Sequence, residues 1–170
     1  MSSGTSLTWI ECDGGPHLVL EKRLAEKWQG PNCAHHYQQA GEIEDYVGVI
    51  PVEDGYGIVI SEDVPRSAWI PGTDGQGGYL VVMNYCKEGI DDHVIIGKIT
   101  KIPDELFNLM GLTVSLRDDT LYLFPACDYG PDWRYGYSEI HIEPERYTID
   151  TVERYDFDDC SFTVHRIRKI

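Results

Sequence analysis

Val47-Gly48-Val49-Ile50-Pro51-Val52-Glu53-Asp54-Gly55-Tyr56-Gly57-Ile58-Val59-Ile60 sets two β-branched runs on either side of an acidic, glycine-bearing step. Asp-Gly between such runs is a strong short-range hairpin signal, because its backbone reaches the positive φ that a tight reversal needs. Two paired strands are therefore expected here. The same grammar spreads outward. Trp69-Ile70 leads into the glycine-rich Gly72–Gly78, read as a hairpin loop, and strand character resumes from Tyr79 to Tyr85. Past Pro103 the chain reads almost wholly as short, regularly punctuated strands: 112–116, 121–124, 138–142, 147–152 and 161–167. Arg117-Asp118-Asp119-Thr120 has the residues of another hairpin turn.

Toward the N-terminus, Trp9-Ile10, the turn Asp13-Gly14-Gly15-Pro16 and the alternating His17–Glu21 read as a hairpin-like entry. From Lys22 to Gln29 the pattern turns helical, with Leu24, Ala25 and Trp28 on one side and Gly30-Pro31 as the stop. His35–Ala40 adds a further turn or two, ended by Gly41. Asp91–Ile102 is ambiguous: Val94, Ile95, Ile96 and Ile99 suit one helical face while their β-branching suits a strand, and helix is preferred. The expected fold class is α+β, a mostly antiparallel β-sheet built from hairpins with one or two helices packed on it. With 170 residues, 42% of them hydrophobic, and no linker or repeat, a single domain over 1–170 is expected.

Fourteen Lys plus Arg against 29 Asp plus Glu give a net charge of -15, which disfavours nucleic acid or an anionic membrane as partner. No apolar run reaches the ~20 residues of a spanning helix, and Met-Ser-Ser-Gly-Thr-Ser lacks the marks of a signal peptide, so a cytoplasmic location is expected. Five cysteines, Cys12, Cys33, Cys86, Cys127 and Cys160, form no C-x-x-C pair and are read as reduced, mostly buried thiols.

The chemical constellations are incomplete. Cys33-Ala34-His35-His36 crowds three possible metal ligands, with Cys12 and His17 to be recruited by folding, but fits no standard ligand spacing. Cys160 and His165 sit five apart on a strand and so point to opposite faces, which argues against a thiolate–imidazole pair. Asp128, Asp132 and Glu139 fall at positions 1, 5 and 12 of a calcium loop, yet Gly130 and Trp133 break the template at 3 and 6. Gly72–Gly78 lacks the Lys-Ser/Thr of a phosphate cradle. Adjacent carboxylates such as Asp118/Asp119 and Asp158/Asp159 read as solvated faces. No enzyme, metal or cofactor is expected.

Two features instead suggest a binding surface. No Lys or Arg occurs between Trp28 and Val64, whereas Glu42, Glu44, Asp45, Glu53, Asp54, Glu62 and Asp63 do, a field suited to steering a basic protein partner. The loop from Asp128 to Tyr137 carries four aromatics among polar residues, with Asp128, Asp132 and Trp133 as candidate contacts.

Trp9-Ile10-Glu11-Cys12-Asp13-Gly14-Gly15-Pro16, then Trp28-Gln29-Gly30, Asp45-Tyr46-Val47-Gly48-Val49-Ile50-Pro51-Val52 and Ala68-Trp69-Ile70-Pro71, resemble in order and spacing the bacterial polymorphic-toxin immunity family Immunity protein 21. The resemblance is clearest over residues 9–85 and thinner afterwards, in Leu121–Ala126 and Glu143–Val152. It implies a small cytoplasmic protein, not an enzyme, that binds and neutralises a toxin domain encoded beside it, thereby protecting the producing cell. The alternative from composition, with 11 Tyr and 4 Trp, is a glycan- or small-ligand-binding β module.

Overall fold

In the computed structural model the description covers residues 6–32, 34–61 and 63–170. The chain runs β1 (Ile10–Glu11), β2 (His17–Glu21), α1 (Lys22–Ala25), α2 (Ala34–Gly41), β3 (Val47–Val52), β4 (Gly55–Ile60), β5 (Arg66–Pro71), β6 (Gly77–Cys86), α3 (Asp92–Ile99), β7 (Asn108–Ser115), β8 (Thr120–Pro125), β9 (Ser138–His141), β10 (Arg146–Phe157) and β11 (Cys160–Lys169). Neighbouring strands are antiparallel in both sheets, one ordered β1-β5-β6-β11-β10-β7 and the other β3-β4-β2-β8-β9. The α+β, mostly antiparallel expectation holds, and the sheet is two sheets.

Alternation along the strands explains the layering. Successive side chains point to opposite faces, so a strand buried on both sides needs apolar residues at every position. β2 is such a strand: Val19 enters the core between the sheets with Ile58, Leu123, Leu80 and Ile149, while Leu18 and Leu20 face outward onto Leu24, Ala25 and Trp28. The outer face of the six-stranded sheet is closed by α3 and the segment after it, where Ile95, Ile99, Ile102 and Phe107 cover Val81, Phe162 and Val164. The ambiguous stretch thus resolves as helix. Its β-branched residues are tolerated because Ile95 and Ile99 are buried one turn apart against a sheet, and tertiary burial outweighs their modest propensity penalty.

The expected hairpin of β3 and β4 is present, with Val52 opposite Gly55 and the reversal at Glu53-Asp54, where Glu53 takes φ 52°. Gly72–Gly78 likewise closes β5 onto β6, with Pro71 opposite Gly78. Two other turns differ from expectation. Asp13–Pro16 joins β1 of one sheet to β2 of the other, and Arg117–Asp119 carries the chain from β7 to β8 in the opposite sheet. Both have turn chemistry, which reverses the chain locally without deciding which sheet receives it. The helix expected over 22–29 is a single turn, after which Trp28 is buried and donates its indole N–H to the Ala126 carbonyl at 2.8 Å.

The reading of all cysteines as free thiols is corrected: Cys86 and Cys160 are joined by a disulfide. They stand directly opposite in the β6–β11 register, so pairing, invisible in the spacing of Cys along the chain, brings the sulfurs together. His165, by contrast, is buried elsewhere, its Nδ1 2.9 Å from Thr151 Oγ1. No helix among the described residues is long and apolar enough to cross a membrane.

Candidate functional site

Folding cuts the acidic stretch in two. β3 rises about 3.3 Å per residue, so its six residues hold the segment before it roughly 20 Å from the turn after it. Glu44, Asp45 and the exposed Tyr46 lie at the first end; Glu53 and Asp54 lie at the second.

At the first end the backbone itself gathers carboxylates. Ser61 N–H donates to the Tyr46 carbonyl at 3.1 Å, and its hydroxyl donates to the carbonyl of Asp45. Two residues on, Asp63 accepts the Gly15 N–H at 2.9 Å, and Val64 N–H donates to the Gly15 carbonyl at 3.1 Å. These bonds stitch the 13–16 turn to the mouth of the hairpin. Asp13 joins the group and accepts from the Tyr135 hydroxyl at 3.4 Å, and its charge raises the Tyr135 phenol above its ordinary value. Among the described residues, Asp13, Glu44, Asp45 and Asp63 make no ion pair with Lys or Arg. Glu42, at the end of α2, accepts from Gln38 Nε2 at 2.9 Å. Glu62 lies outside the described residues.

At the second end the same residue types are tied up. Arg23 pairs with Asp54, with Asp118 at 3.1 Å and with Glu21 at 3.1 Å, while Arg117 stands 3.8 Å from Asp54 and His36 3.9 Å from Glu53. The Arg23 hydrogen bond holds the Asp54 carboxyl below its usual value. Glu21 is buried, and desolvation pushes its carboxyl up although it accepts the Arg117 N–H at 3.1 Å.

The aromatic loop is anchored from beneath. Gly130 N–H donates to the Trp28 carbonyl at 2.7 Å, and a Cβ on Gly130 would meet the Ala25 carbonyl oxygen at 2.1 Å, so only glycine permits this approach. Asp128 is thereby removed from the candidate surface. Its buried carboxylate accepts the backbone N–H groups of Tyr129, Arg134 and Tyr135 at 2.9, 3.0 and 2.8 Å, which compensates its burial and shapes the loop. Trp133 is half-buried, its ring 5.4 Å from Tyr122, 5.2 Å from Phe124 and 4.9 Å from Tyr137. Asp132 is exposed. Asp13 and Tyr46, which sequence reasoning did not nominate, belong to the first end, as does Tyr135, an aromatic of the loop that it did. An exposed Tyr beside Asp45 was the available signal, whereas Tyr135 joins only through the fold.

Among the described residues, no group of three or more His, Cys, Asp or Glu side chains is placed to hold a metal ion; Cys33 lies outside them. The arrangement suits recognition of a basic surface: unpaired carboxylates supply the field, and Tyr46, 49% exposed, supplies an amphipathic contact.

Residues 8–81 match the family model of Immunity protein 21. No curated protein and no solved structure matches the chain significantly.

Proposed function

We propose, with the match of residues 8–81 to Immunity protein 21 as premise, that this protein is an immunity protein that binds and neutralises a bacterial toxin domain encoded beside it. That match carries the reading, and it spans both ends of the β3–β4 hairpin. The protein acts without catalysis in the cytoplasm of the producing cell, by occupying a basic surface of the toxin with the carboxylates of the first end. Asp13, Glu44, Asp45 and Asp63 steer the encounter, and Tyr46 and Tyr135 make the contact. The burial of Asp128 and the packing of half-buried Trp133 on Tyr122 and Phe124 support reading both as residues that shape the 128–137 loop.

Co-expression with the domain encoded by the adjacent gene tests this. Growth of toxin-expressing cells is restored and the two proteins co-purify. Toxicity unrelieved by this protein, with no complex recovered, overturns the reading.

A further inference from the structure

The two sheets end in four edge strands, and three of these are guarded. β1 has two residues, β9 has four and carries Glu139 and His141, and β3 carries Pro51. Shortness, charge and proline are ordinary means of keeping an edge from pairing with another chain. β7, the remaining edge, has none of them. Its eight residues hold no proline and no charge, and the uncharged run extends from Leu106 to Leu116. Leu106 and Leu109 in that run are exposed, Leu109 by 76%.

Among the described residues, β7 pairs with β10 on one side and with no strand on the other. Alternation tells which of its backbone groups face outward. Leu116 N–H donates to the Glu145 carbonyl at 2.9 Å, and the Leu112 carbonyl accepts from the Thr148 hydroxyl at 3.2 Å, so Leu112, Val114 and Leu116 turn their backbone groups toward β10. Thr113 and Ser115 therefore turn theirs away from the sheet. Both residues are exposed, and a cleft lined by Tyr56, Thr113, Val114, Ser115 and Arg146 opens beside them. The register shift that puts Met110 and Gly111 out of step with β10, with Gly111 at φ 70°, confines the regular edge to Leu112–Ser115.

We propose that β7 pairs antiparallel with β7 of a second copy of this chain about a two-fold axis, so that the six-stranded sheets of the two copies continue as one. Thr113 of each copy faces Ser115 of the other, and each facing pair exchanges two backbone hydrogen bonds. Charge selects this occupant. A basic toxin meets no carboxylate along Leu106–Leu116, whereas an identical strand meets no like charge. Glu105 bounds the run at one end, and Arg146 stands opposite Ser115 at the other. Both are exposed, and neither makes an ion pair among the described residues. Antiparallel pairing turns the basic end of each copy toward the acidic end of the other. The net charge of -15 opposes approach at long range, so added salt tightens the dimer, opposite in sign to its effect on association with a basic toxin.

Sedimentation velocity of the whole protein without toxin, from about 10 µM to about 0.5 mM in about 0.5 M salt, tests the proposal. The protein passes from monomer to dimer over that range, and the dimer is weaker at low salt. Amide hydrogen exchange at Thr113 and Ser115 slows about tenfold or more between the two concentrations, while that at Val114 changes less. Thr113→Pro removes an outward N–H that β10 does not use, and weakens dimerisation about tenfold or more. Thr113→Lys sets two like charges diagonally across the paired strands and weakens it as well, with the thermal unfolding transition retained. A monomer at the highest concentration overturns the proposal, and so does a dimer in which the Thr113 and Ser115 amides exchange as fast as in the monomer. Protection of those amides only when the toxin domain is added likewise overturns it, and assigns the edge to the toxin.

Discussion

At one end of the β3–β4 hairpin, Glu53 and Asp54 face Arg23, Arg117 and His36; at the other, Glu44, Asp45 and Asp63 stand with Asp13 and no Lys or Arg partner among the described residues. In the sequence all of these except Asp13 belong to one run without Lys or Arg. Folding brings two arginines into ion pairs at the tip, one from α1 and one from the crossing between β7 and β8, whereas at the mouth Arg134 stacks 5.6 Å over the Tyr135 ring and no Lys or Arg among the described residues pairs with a carboxylate. A run of charge in sequence is therefore a statement about composition, and its field depends on what other segments bring to it. At the tip Asp54 and Asp118 are held by arginine, while Glu53 has only His36 at 3.9 Å, an ion-pair partner when protonated; the mouth carboxylates have no Lys or Arg partner among the described residues.

Acid gives the largest expected effect, and it acts beneath the mouth rather than the tip. His17 has its pKa lowered to about 4 by burial, and His165 in the six-stranded sheet is lowered to about 3. A histidine kept neutral in the folded state but protonated near pH 6.5 when unfolded makes the unfolded chain bind more protons. Stability is then intact above pH 6.5 and lost as pH falls toward the folded values. His17 alone accounts for about 3 kcal/mol across pH 6.5 to 4, because each pH unit between the unfolded and folded pKa is worth about 1.4 kcal/mol. Urea unfolding measured from pH 7 to pH 4 shows the decline, with a slope approaching two protons in the lower half of that window. A flat profile there breaks the assignment of either ring as neutral and buried.

The second test contrasts the two ends by stability. Arg23→Leu leaves buried Glu21 beside Asp54 and Asp118 without their shared cation, and costs about 2 kcal/mol, less than a fully buried pair because Arg23 is itself partly exposed. Asp118→Asn in the same chain restores part of the loss. Asp45→Asn, by contrast, changes stability by no more than about 0.5 kcal/mol, since no partner is stranded. Chemical denaturation of the three variants checks this. A large loss in Asp45→Asn identifies the mouth as structural after all.

The hairpin at the centre of this contrast was readable because both of its signals are local, β-branched runs and an Asp-Gly step. The helix over 92–99 was only half-readable, because its apolar spacing fits one helical face while its β-branched residues suit a strand equally. What escaped is non-local. Asp13–Pro16 and Arg117–Asp119 look like hairpin turns because the residues that let a chain reverse also let it cross between sheets. Asp158 and Asp159 read as two solvated carboxylates, yet they take φ 47° and 61° as the two-residue turn between β10 and β11. That conformation is commoner for Asn-Gly, and a pair of aspartates signals it weakly. Of the site, exposed acids could be named from composition, whereas the burial of Asp128, the pairing of Glu53 and Asp54, and the arrival of Tyr135 all depend on register and loop packing.

Association kinetics give the smallest effect and the sharpest separation of the two ends. Glu44→Gln with Asp45→Asn removes two charges at the mouth, and Glu53→Gln with Asp54→Asn removes two at the tip, so the change in net charge is the same. Distance makes the difference. The ends are roughly 20 Å apart, beyond the Debye length of about 8 Å at physiological salt but within the roughly 30 Å of 0.01 M salt. At low ionic strength both variants bind the toxin domain more slowly, by a few-fold, because each lowers the long-range attraction. Near 0.15 M salt the proposed interface has the tip variant recover the unmodified rate, while the mouth variant still associates about twofold to threefold more slowly, since on that interface only its charges lie within screening range of the partner. Dissociation changes little in either, as rim charges act mainly on encounter. Stopped-flow traces at the two salt concentrations decide the matter. Slowing that persists near 0.15 M in the tip variant alone moves the interface to Arg23 and Arg117, and makes their ion pairs with Asp54 something the toxin must displace.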